Sequence, residues 1–295
     1  MEILENDSLI VKAKSQGAEL CSIIRKSDGR EFLWQADPKY WKRHSPVLFP
    51  IVGALWNNKM HQDDETYVMT QHGFARDSDF ELLEQTHDTI SYVLRANENT
   101  LRHYPYNFEL KISYRLIDDT VKVMWQVRNL EEKRIMQFQI GAHPAFNYMD
   151  YDPEAERQGY IKFDSSADTY KLSVIGQKGC LASSGETLKA TDGTIRVNRH
   201  TFDHDAIILE KRQVQSVTLI SPTHEPYLRV AFNAPVVGIW SPARGSFAPF
   251  VCIEPWHSVP SPEEGSTAWE EKPAAAVLEP GESWSTTLST RFFRP

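Results

Sequence analysis

The sequence predicts an all-β fold, a large antiparallel β-sandwich with a few short helices. Apolar residues recur at every second position in many short segments, and turn residues separate these segments at close intervals. Segments with helical periodicity are short and few. The 295 residues contain no linker and no shift of composition, so we expect one domain that spans residues 1–295.

The clearest predicted hairpin covers residues 110–127. Alternate positions from Leu110 to Leu116 are apolar, Asp118 and Asp119 supply a turn, and alternate positions from Val121 onward are apolar again. Asp28-Gly29 is typical of another hairpin turn. Further strands are predicted at residues 9–14, 20–25, 91–96, 216–220, 227–233 and 285–290. Short helical turns are predicted only at residues 38–43 and 262–269.

Composition excludes several classes of function. The net charge of -8 and the pI near 5.7 leave no basic patch that could neutralise many phosphates, so no nucleic-acid partner is expected. Apolar runs are far shorter than the roughly 20 residues of a membrane span. The N-terminus lacks the features of a signal peptide, and the 3 cysteines are odd in number and widely spaced, which predicts a reduced, cytoplasmic protein. No metal-binding motif appears, so no tight metal site is predicted.

The stretch Phe250 to His257 contains the most informative carboxylate. Four apolar residues lead directly into Glu254, and Pro255 and Trp256 follow. This pattern predicts a strand buried on both faces, where an ionised glutamate is rare without a partner. Glu254 could be a proton acceptor with a shifted pKa, or a structural carboxylate that caps backbone amides or pairs with an arginine. The stretch alone leaves both interpretations open.

Four other segments place polar residues at the ends of predicted strands. They cover residues 41–53, 70–77, 138–146 and 202–209. Prolines on both sides of residues 47–49 favour a rigid loop over a central strand. Gly73 permits a turn that could direct His72 and Arg76 into one space.

Each of these polar residues also has an ordinary structural explanation. A single histidine at a strand end, such as His143, is more often structural than catalytic. Arg76 and Asp77 could form a surface ion pair, and the aspartates of the fourth segment could form turns. Their joint occurrence with Glu254 and with several tryptophans (Trp41, Trp240, Trp256) favours a sugar-binding cleft, because sugars pack on aromatic rings and require directional hydrogen bonds.

Four motifs carry a resemblance to a known family. They are Arg43-His-Ser-Pro-Val-Leu-Phe-Pro-Ile-Val-Gly53, Gln71-His-Gly-Phe-Ala-Arg76, Ala142-His-Pro-Ala-Phe146 and Cys252-Ile-Glu-Pro-Trp256. In this order and spacing they resemble the aldose 1-epimerase (galactose mutarotase) family, and more narrowly its branch associated with lactose operons. The resemblance implies a single β-sandwich with a cleft on a concave face. It also implies interconversion of the α and β anomers of a free aldose, such as galactose or glucose, without metal or nucleotide.

The resemblance assigns roles to individual residues. It implies that Glu254 is the general base, that His143 is the general acid and that His72 contacts the sugar near its ring oxygen. The substrate-binding aspartate of the family matches Asp205, with Asp203 as the competing register. The remaining residues implied in substrate binding are Arg43, Gln71, Arg76 and Trp256.

One departure from the family pattern keeps other functions open. Many relatives carry a basic residue directly after the glycine that matches Gly53, whereas this chain has Ala54. A non-catalytic sugar-binding or sensory protein is one alternative. A hexose-6-phosphate mutarotase is another, with Lys42, Arg43 and Lys59 as the nearby cations, and a two-carboxylate glycosidase is a distant third. The expected partner is a small sugar, and the chain is expected to be a monomer or homodimer.

Overall fold

A computed structural model describes residues 1–242 and 246–294, and it confirms the predicted all-β sandwich. The strands of the described residues are numbered along the chain. The first are β1 (Glu2–Glu5), β2 (Leu9–Lys14), β3 (Glu19–Arg25), β4 (Arg30–Glu31), β5 (Val47–Leu48), β6 (Lys59–Gln62), β7 (Glu65–Val68), β8 (Glu81–Gln85), β9 (Thr89–Arg95), β10 (Phe108–Ile117), β11 (Thr120–Asn129) and β12 (Met136–Phe138). The others are β13 (Gly141–Ala142), β14 (Ala145–Asn147), β15 (Tyr160–Phe163), β16 (Thr169–Ile175), β17 (Leu181–Lys189), β18 (Thr194–Arg196), β19 (Ile207–Leu209), β20 (Ser216–Ile220), β21 (Pro226–Phe232), β22 (Val236–Trp240), β23 (Phe250–Trp256), β24 (Ala276–Leu278) and β25 (Ser283–Phe292).

Two large antiparallel sheets form the layers of the sandwich. One has nine strands in the order β18-β15-β20-β21-β25-β11-β10-β9-β8. The other has eight: seven in the order β17-β16-β19-β22-β23-β13-β5, with β14 paired to β23 as the eighth. Strands β1 to β4 form a separate four-stranded sheet, and β6-β7 and β12-β24 form two-stranded ribbons. The eight-stranded sheet carries the segment Phe250 to His257.

The predicted hairpin at residues 110–127 lies inside the nine-stranded sheet, between β25 and β9. Leu110 faces Val127 and Ile112 faces Trp125 across β10 and β11, which places the apolar positions on one side. These side chains are buried in a core that also receives apolar residues of the eight-stranded sheet. The alternating pattern therefore buries one face of this sheet against the other layer.

The helical segments differ from the sequence prediction. The only α-helix of the described residues is a single turn, Glu98–Leu101, capped by Asn97, and it was not predicted. Residues 38–43 contain one helical turn, in which the Trp41 N–H donates to the Asp37 carbonyl at 3.1 Å. At residues 262–269 the structure has a turn, in which the Gly265 N–H donates to the Pro262 carbonyl at 3.2 Å, and no helix before Trp269, because the φ of Glu264 is +54° and an α-helix requires a negative φ. The short 3₁₀ turns are Trp56–Asn58, Ala75–Asp77, Gln177–Gly179 and Trp269–Glu271.

The segment at residues 47–49 is also more regular than expected. Val47 and Leu48 form the edge strand β5, paired with Ala142 and Gly141 of β13. The flanking prolines are tolerated because one side of an edge strand needs no ladder partner. This pairing places the first motif next to the third.

Glu19 anchors the chain just before this edge strand. Its carboxylate accepts hydrogen bonds from the backbone N–H groups of His44 and Ser45 at 2.9 and 3.1 Å, and it pairs with Lys14 at 2.6 Å. Burial raises the pKa of Glu19, but the contacts with His44 and Lys14 outweigh burial and lower it to about 2. Glu19 therefore stabilises the folded chain as an anion.

We expect the Glu19→Gln substitution to lower the free energy of unfolding by about 3 kcal/mol at pH 7, from a pKa that falls from 4.5 to about 2 at roughly 1.4 kcal/mol per unit. Because the folded pKa is depressed, this stabilisation is complete above pH 4.5 and disappears as the pH falls towards 2. Urea unfolding at pH 7 and pH 3 measures both effects. The exposed Glu5, paired with Lys26 at 2.8 Å, supplies the control Glu5→Gln, with an expected loss below about 1 kcal/mol. An equal difference in unfolding free energy between wild type and Glu19→Gln at both pH values would contradict the role of Glu19 as a stabilising anion.

The described residues contain no helix that is both long and apolar enough to cross a membrane.

Candidate active site

Glu254 lies in the interior of the eight-stranded sheet. All seven residues of β23 are buried, and Glu254 itself is 1% exposed. Strands β22 and β13 flank β23, and Gly238 of β22 lies directly opposite Glu254. An ionisable carboxyl at such a position is costly without a specific partner.

His143 is that partner. It follows β13, and its backbone N–H donates to the Pro46 carbonyl at 3.1 Å, which fixes the start of the connection to β14. Because β13 and β14 both pair with β23, this connection crosses beside Glu254. The His143 Nε2 lies 3.2 Å from Glu254 Oε2, with both side chains almost fully buried. Two residues far apart in sequence thus form one closely spaced acid/base pair.

Burial shifts the two pKa values towards the neutral forms. Desolvation raises the pKa of Glu254 well above 4.5, and the negative charge of Asp205 adds to this rise. Desolvation lowers the pKa of His143 to about 3, and the positive charges of Arg76 and Arg43 contribute. Between these two pKa values the pair therefore holds one proton in total, and the neutral forms of both groups are favoured.

Aromatic rings hold the His143 imidazole in place. The Trp41 ring stacks on it with centroids 4.8 Å apart and planes inclined by 25°, and Trp240 contacts it edge-on at 5.7 Å. Trp41 is positioned in turn by its carbonyl, which accepts a hydrogen bond from Trp34 Nε1 at 2.7 Å. The imidazole therefore has little freedom to rotate away from Glu254.

His72 approaches the pair from the second motif. Its ring lies 5.6 Å from that of His143. Its Nδ1 accepts a hydrogen bond from the Gly53 N–H at 3.1 Å, and burial lowers its pKa well below 6.5. A neutral ring with Nδ1 as acceptor carries its proton on Nε2, so His72 can donate one hydrogen bond to a ligand.

Gly73 makes this placement possible. Its φ is +72°, and a Cβ at this position would lie 2.2 Å from the Phe49 carbonyl oxygen. The Phe49 N–H donates to the His72 carbonyl at 3.2 Å, so the two motifs are joined here by backbone. The turn predicted at Gly73 does bring His72 and Arg76 to one cavity.

The two arginines occupy different positions. Arg76 lines the cavity, and its Nη2 donates to the Gln71 carbonyl at 2.6 Å. Arg43 is not among the lining residues; its Nη2 pairs with Asp77 Oδ1 at 2.9 Å instead. Arg76 is therefore the arginine positioned at the cavity, and sugar contacts by Arg76 and by Arg43 both stay predictions. The same applies to Gln71, which lines the cavity.

The structure separates the two candidate aspartates. Asp205 lines the cavity together with Glu254, and its charge contributes to the raised pKa of that group. Asp203 contacts His200 Nδ1 at 2.7 Å and lines a neighbouring cavity. The position of Asp205 favours the register preferred from the sequence.

Trp256 forms the floor beside Glu254. Its indole lies against two glycines on the neighbouring strands, since a Cβ on Gly141 or on Gly238 would come within 2.7 or 2.9 Å of the ring. The indole N–H faces the Glu254 carboxyl closely enough to moderate its pKa, yet it makes no hydrogen bond of good geometry with the described residues. It is available to a ligand.

Together these residues line a cleft of about 380 Å³. Six buried side-chain polar atoms of the described chain lack a hydrogen-bond partner, and three of them belong to lining residues: His143 Nδ1, Arg76 Nε and Trp256 Nε1. Buried polar groups are rarely left unpaired, so their concentration here indicates a polar ligand.

Sequence reasoning missed one wall of the cleft. Ile175, Gly176 and Gly179 line it from the end of β16 and the following turn, and Pro260 also lines it. Two glycines three positions apart are the only signal that the sequence offers there. The pattern did not distinguish this wall from an ordinary hairpin loop.

A possible metal-ligand set also escaped the sequence analysis. His143, Cys252 and Glu254 are buried, and their ligand atoms lie within 4.8 Å of one another. Cys252 and Glu254 are alternate residues on one face of β23, while His143 comes from another strand end, so no motif spacing reveals them. The thiol is free, and burial raises its pKa well above 9.0.

The chain is similar to known proteins along nearly its whole length. The family model described as aldose 1-epimerase matches residues 3–291. The plasmid and chromosomal LacX proteins of Lactococcus lactis subsp. lactis are 33% and 34% identical over 284 residues, which cover 94% of this chain and 94% of each relative. The crystal structure of a galactose mutarotase related enzyme from Lactobacillus acidophilus superposes with a TM-score of 0.90 at 31% identity, covering 99% of this chain and 97% of that one. A galactose mutarotase-like protein from Lactobacillus casei gives a TM-score of 0.87 at 26% identity, covering 99% and 100% of the two chains.

Proposed function

Because the chain belongs to the aldose 1-epimerase family, and to its lactose-operon-associated branch as the sequence predicted, we propose that it interconverts the α and β anomers of a free aldohexose such as galactose or glucose. The observation that carries the proposal is the buried 3.2 Å contact between His143 Nε2 and Glu254 Oε2 at the floor of a polar cleft. Opening a hemiacetal requires one group that takes a proton and one that gives a proton, and this pair has both.

The proposed reaction needs only the two proton transfers made by Glu254 and His143. Glu254 takes the proton of the C1 hydroxyl, the C1=O bond forms and the C1–O5 bond breaks. The released electron pair stays on O5, which receives a proton from His143. Rotation about C1–C2 presents the other face of the aldehyde, and reclosure reverses both transfers, so the pair regains its starting state. A sugar that places C1–OH at Glu254 and O5 at His143 selects the form of the pair with the shared proton on His143.

The other lining residues supply recognition. His72 Nε2–H, Arg76 Nε and Trp256 Nε1 are donors for sugar hydroxyls and the ring oxygen, and the Asp205 carboxylate is an acceptor. The faces of the cleft tryptophans are suited to the C–H faces of a pyranose. Filling the unpaired donors with hydroxyls removes the cost of leaving them buried.

The test is the rate of anomer exchange. Purified protein is mixed with galactose, glucose or glucose 6-phosphate, and exchange NMR compares the α-to-β rate with the spontaneous rate. The proposal predicts an acceleration proportional to protein concentration for at least one free hexose. A non-catalytic sugar-binding protein would bind without acceleration, and a hexose-6-phosphate mutarotase would prefer the phosphorylated sugar.

The pH dependence follows from the shared proton. At high pH, when Glu254 and His143 have both lost their protons, His143 has no proton to donate. At low pH, when both residues are protonated, Glu254 cannot accept a proton. Since burial lowers the pKa of His143 to about 3 and raises that of Glu254 well above 4.5, kcat/KM should stay level between these limits and fall on both sides. The profile is measured after subtraction of spontaneous exchange, with circular dichroism at each pH to verify the fold. An acidic limb at the ordinary histidine value of 6.5 would contradict the assignment.

A further inference from the structure

Cys252 is a buried reactive group beside the acid/base pair, and the proposed reaction does not use it. Cys252 and Glu254 are alternate residues of β23, so their side chains project from the same face of the strand. The thiol is free and fully buried. It belongs to an apolar cluster packed against Trp41 and Trp240, the two rings that contact His143. The sulfur therefore lies close to both members of the pair.

The distances between these groups suit a tetrahedral metal ion. The ligand atoms of Cys252, His143 and Glu254 all lie within 4.8 Å of one another. A zinc ion with bonds of about 2 Å to nitrogen and oxygen and about 2.3 Å to sulfur holds its ligand atoms about 3.3 to 3.6 Å apart. His143 Nε2 and Glu254 Oε2, 3.2 Å apart, already have nearly this separation. The sulfur has to approach them by about 1.3 Å at most, which a small rotation of the cysteine side chain supplies.

The charges of the three groups also suit a divalent ion. Burial keeps the His143 imidazole neutral, the form that binds a metal. Binding of Zn²⁺ releases two protons, one from the Cys252 thiol and the one held by Glu254 and His143. The thiolate and the carboxylate then cancel the charge of the ion, so the buried complex is neutral and avoids the cost of an unpaired buried charge. A coordinating thiol is deprotonated by the metal itself, which overcomes the raised pKa of Cys252.

The cleft gives an ion access to these ligands. His143 and Glu254 line it, so an ion that enters from solvent meets two ligands, and the thiol lies behind them. Three protein ligands leave the fourth position for a water molecule in the cleft. His143 Nδ1 has no hydrogen-bond partner among the described residues, whereas tight sites hold this atom with an acceptor. These features fit a site that binds reversibly.

We propose that Cys252, His143 and Glu254 form a reversible, inhibitory Zn²⁺ site. The bound ion occupies the atoms that would transfer protons, so neither Glu254 nor His143 can act on a sugar, and zinc and sugar exclude each other. The inhibition rests on the proposed function. The metal binding does not, because it depends on the three side chains alone.

The binding test uses Co²⁺ as a spectroscopic substitute for Zn²⁺, because a thiolate bound to cobalt gives an intense charge-transfer absorption band. Wild-type protein titrated with Co²⁺ should develop this band, and added Zn²⁺ should remove it. Cys252→Ala should not develop the band, and Cys252→Ser, closer in size, serves if the alanine variant does not fold. Cys21→Ala, which removes another buried free thiol, is the matched control and should keep the band. A wild-type protein without the band, or a Cys252 variant with it, would overturn the site whether or not the protein is a mutarotase.

The activity test measures anomer exchange of galactose by NMR with increasing Zn²⁺, in buffer free of thiols and chelators. The apparent KM should rise with Zn²⁺ at constant kcat, and a chelator added afterwards should restore the rate. Relative to its own rate without zinc, Cys252→Ala should need at least about tenfold more Zn²⁺ for half inhibition, equivalent to about 1.4 kcal/mol, and Cys21→Ala should match wild type. Equal sensitivity of wild type and Cys252→Ala would overturn the proposal. Absence of acceleration without zinc would contradict the proposed function instead, and the cobalt spectrum would still decide the metal site.

Discussion

Replacing Glu254 by glutamine should lower the enzymatic rate of anomer exchange by about two to four orders of magnitude, because the variant keeps the shape of the side chain but cannot accept the proton of the C1 hydroxyl. The glutamine amide can still contact His143 Nε2, so the fold should be preserved. The residual rate depends on a protonated His143, whose pKa is lowered to about 3, and it should therefore rise as the pH falls.

The control for this substitution is Glu84→Gln, the same chemical change on an exposed strand of the nine-stranded sheet. It should leave the rate within about twofold of wild type. Circular dichroism and thermal unfolding verify that both variants fold. A Glu254→Gln protein that exchanges anomers at the wild-type rate would rule out Glu254 as the base.

Replacing His143 by asparagine should have an effect of similar size, about two to four orders of magnitude. The substitution removes the proton donor for O5. It also leaves Glu254 buried without its partner, and since burial raises the pKa of that carboxyl well above 4.5, it stays protonated and cannot act as a base at neutral pH. The residual rate should rise with pH, opposite to the trend expected for Glu254→Gln.

The exposed His87 supplies the matched control His87→Asn, which should retain the wild-type rate. Exchange NMR from pH 5 to pH 9 measures the level and the slope of the residual rate. A residual rate that falls with pH, or one close to wild type, would contradict the role of His143 as the acid.

Local sequence patterns were sufficient to predict many of the strands of the fold. The hairpin of β10 and β11 and the buried strand β23 follow directly from apolar periodicity and turn residues. The edge strand Val47–Leu48 was missed because its flanking prolines mask the pairing, which forms on one side only. The α-turn at Glu98–Leu101 is too short to leave a periodic signal.

The residues of the site could be predicted from the sequence, but the contacts between them could not. Glu254 and His143 stood out because each interrupts an apolar strand, and the family motifs supplied their roles. Their contact depends on β13 and β14 pairing with β23, which no local pattern encodes. The stacking of Trp41 on His143, the cleft wall at Gly176 and Gly179, and the thiol of Cys252 beside the pair arise in the same way from tertiary packing.

A double-mutant cycle tests most directly whether Glu254 and His143 act as one acid/base unit on the same sugar. The anomer exchange rates of wild type, Glu254→Gln, His143→Asn and the double variant are measured by NMR under identical conditions. If both groups serve one ring opening, the double variant should be no slower than the slower single variant, because either loss already stops the proton relay. Losses that multiply in the double variant would show that the two residues act independently and would contradict the shared-proton account.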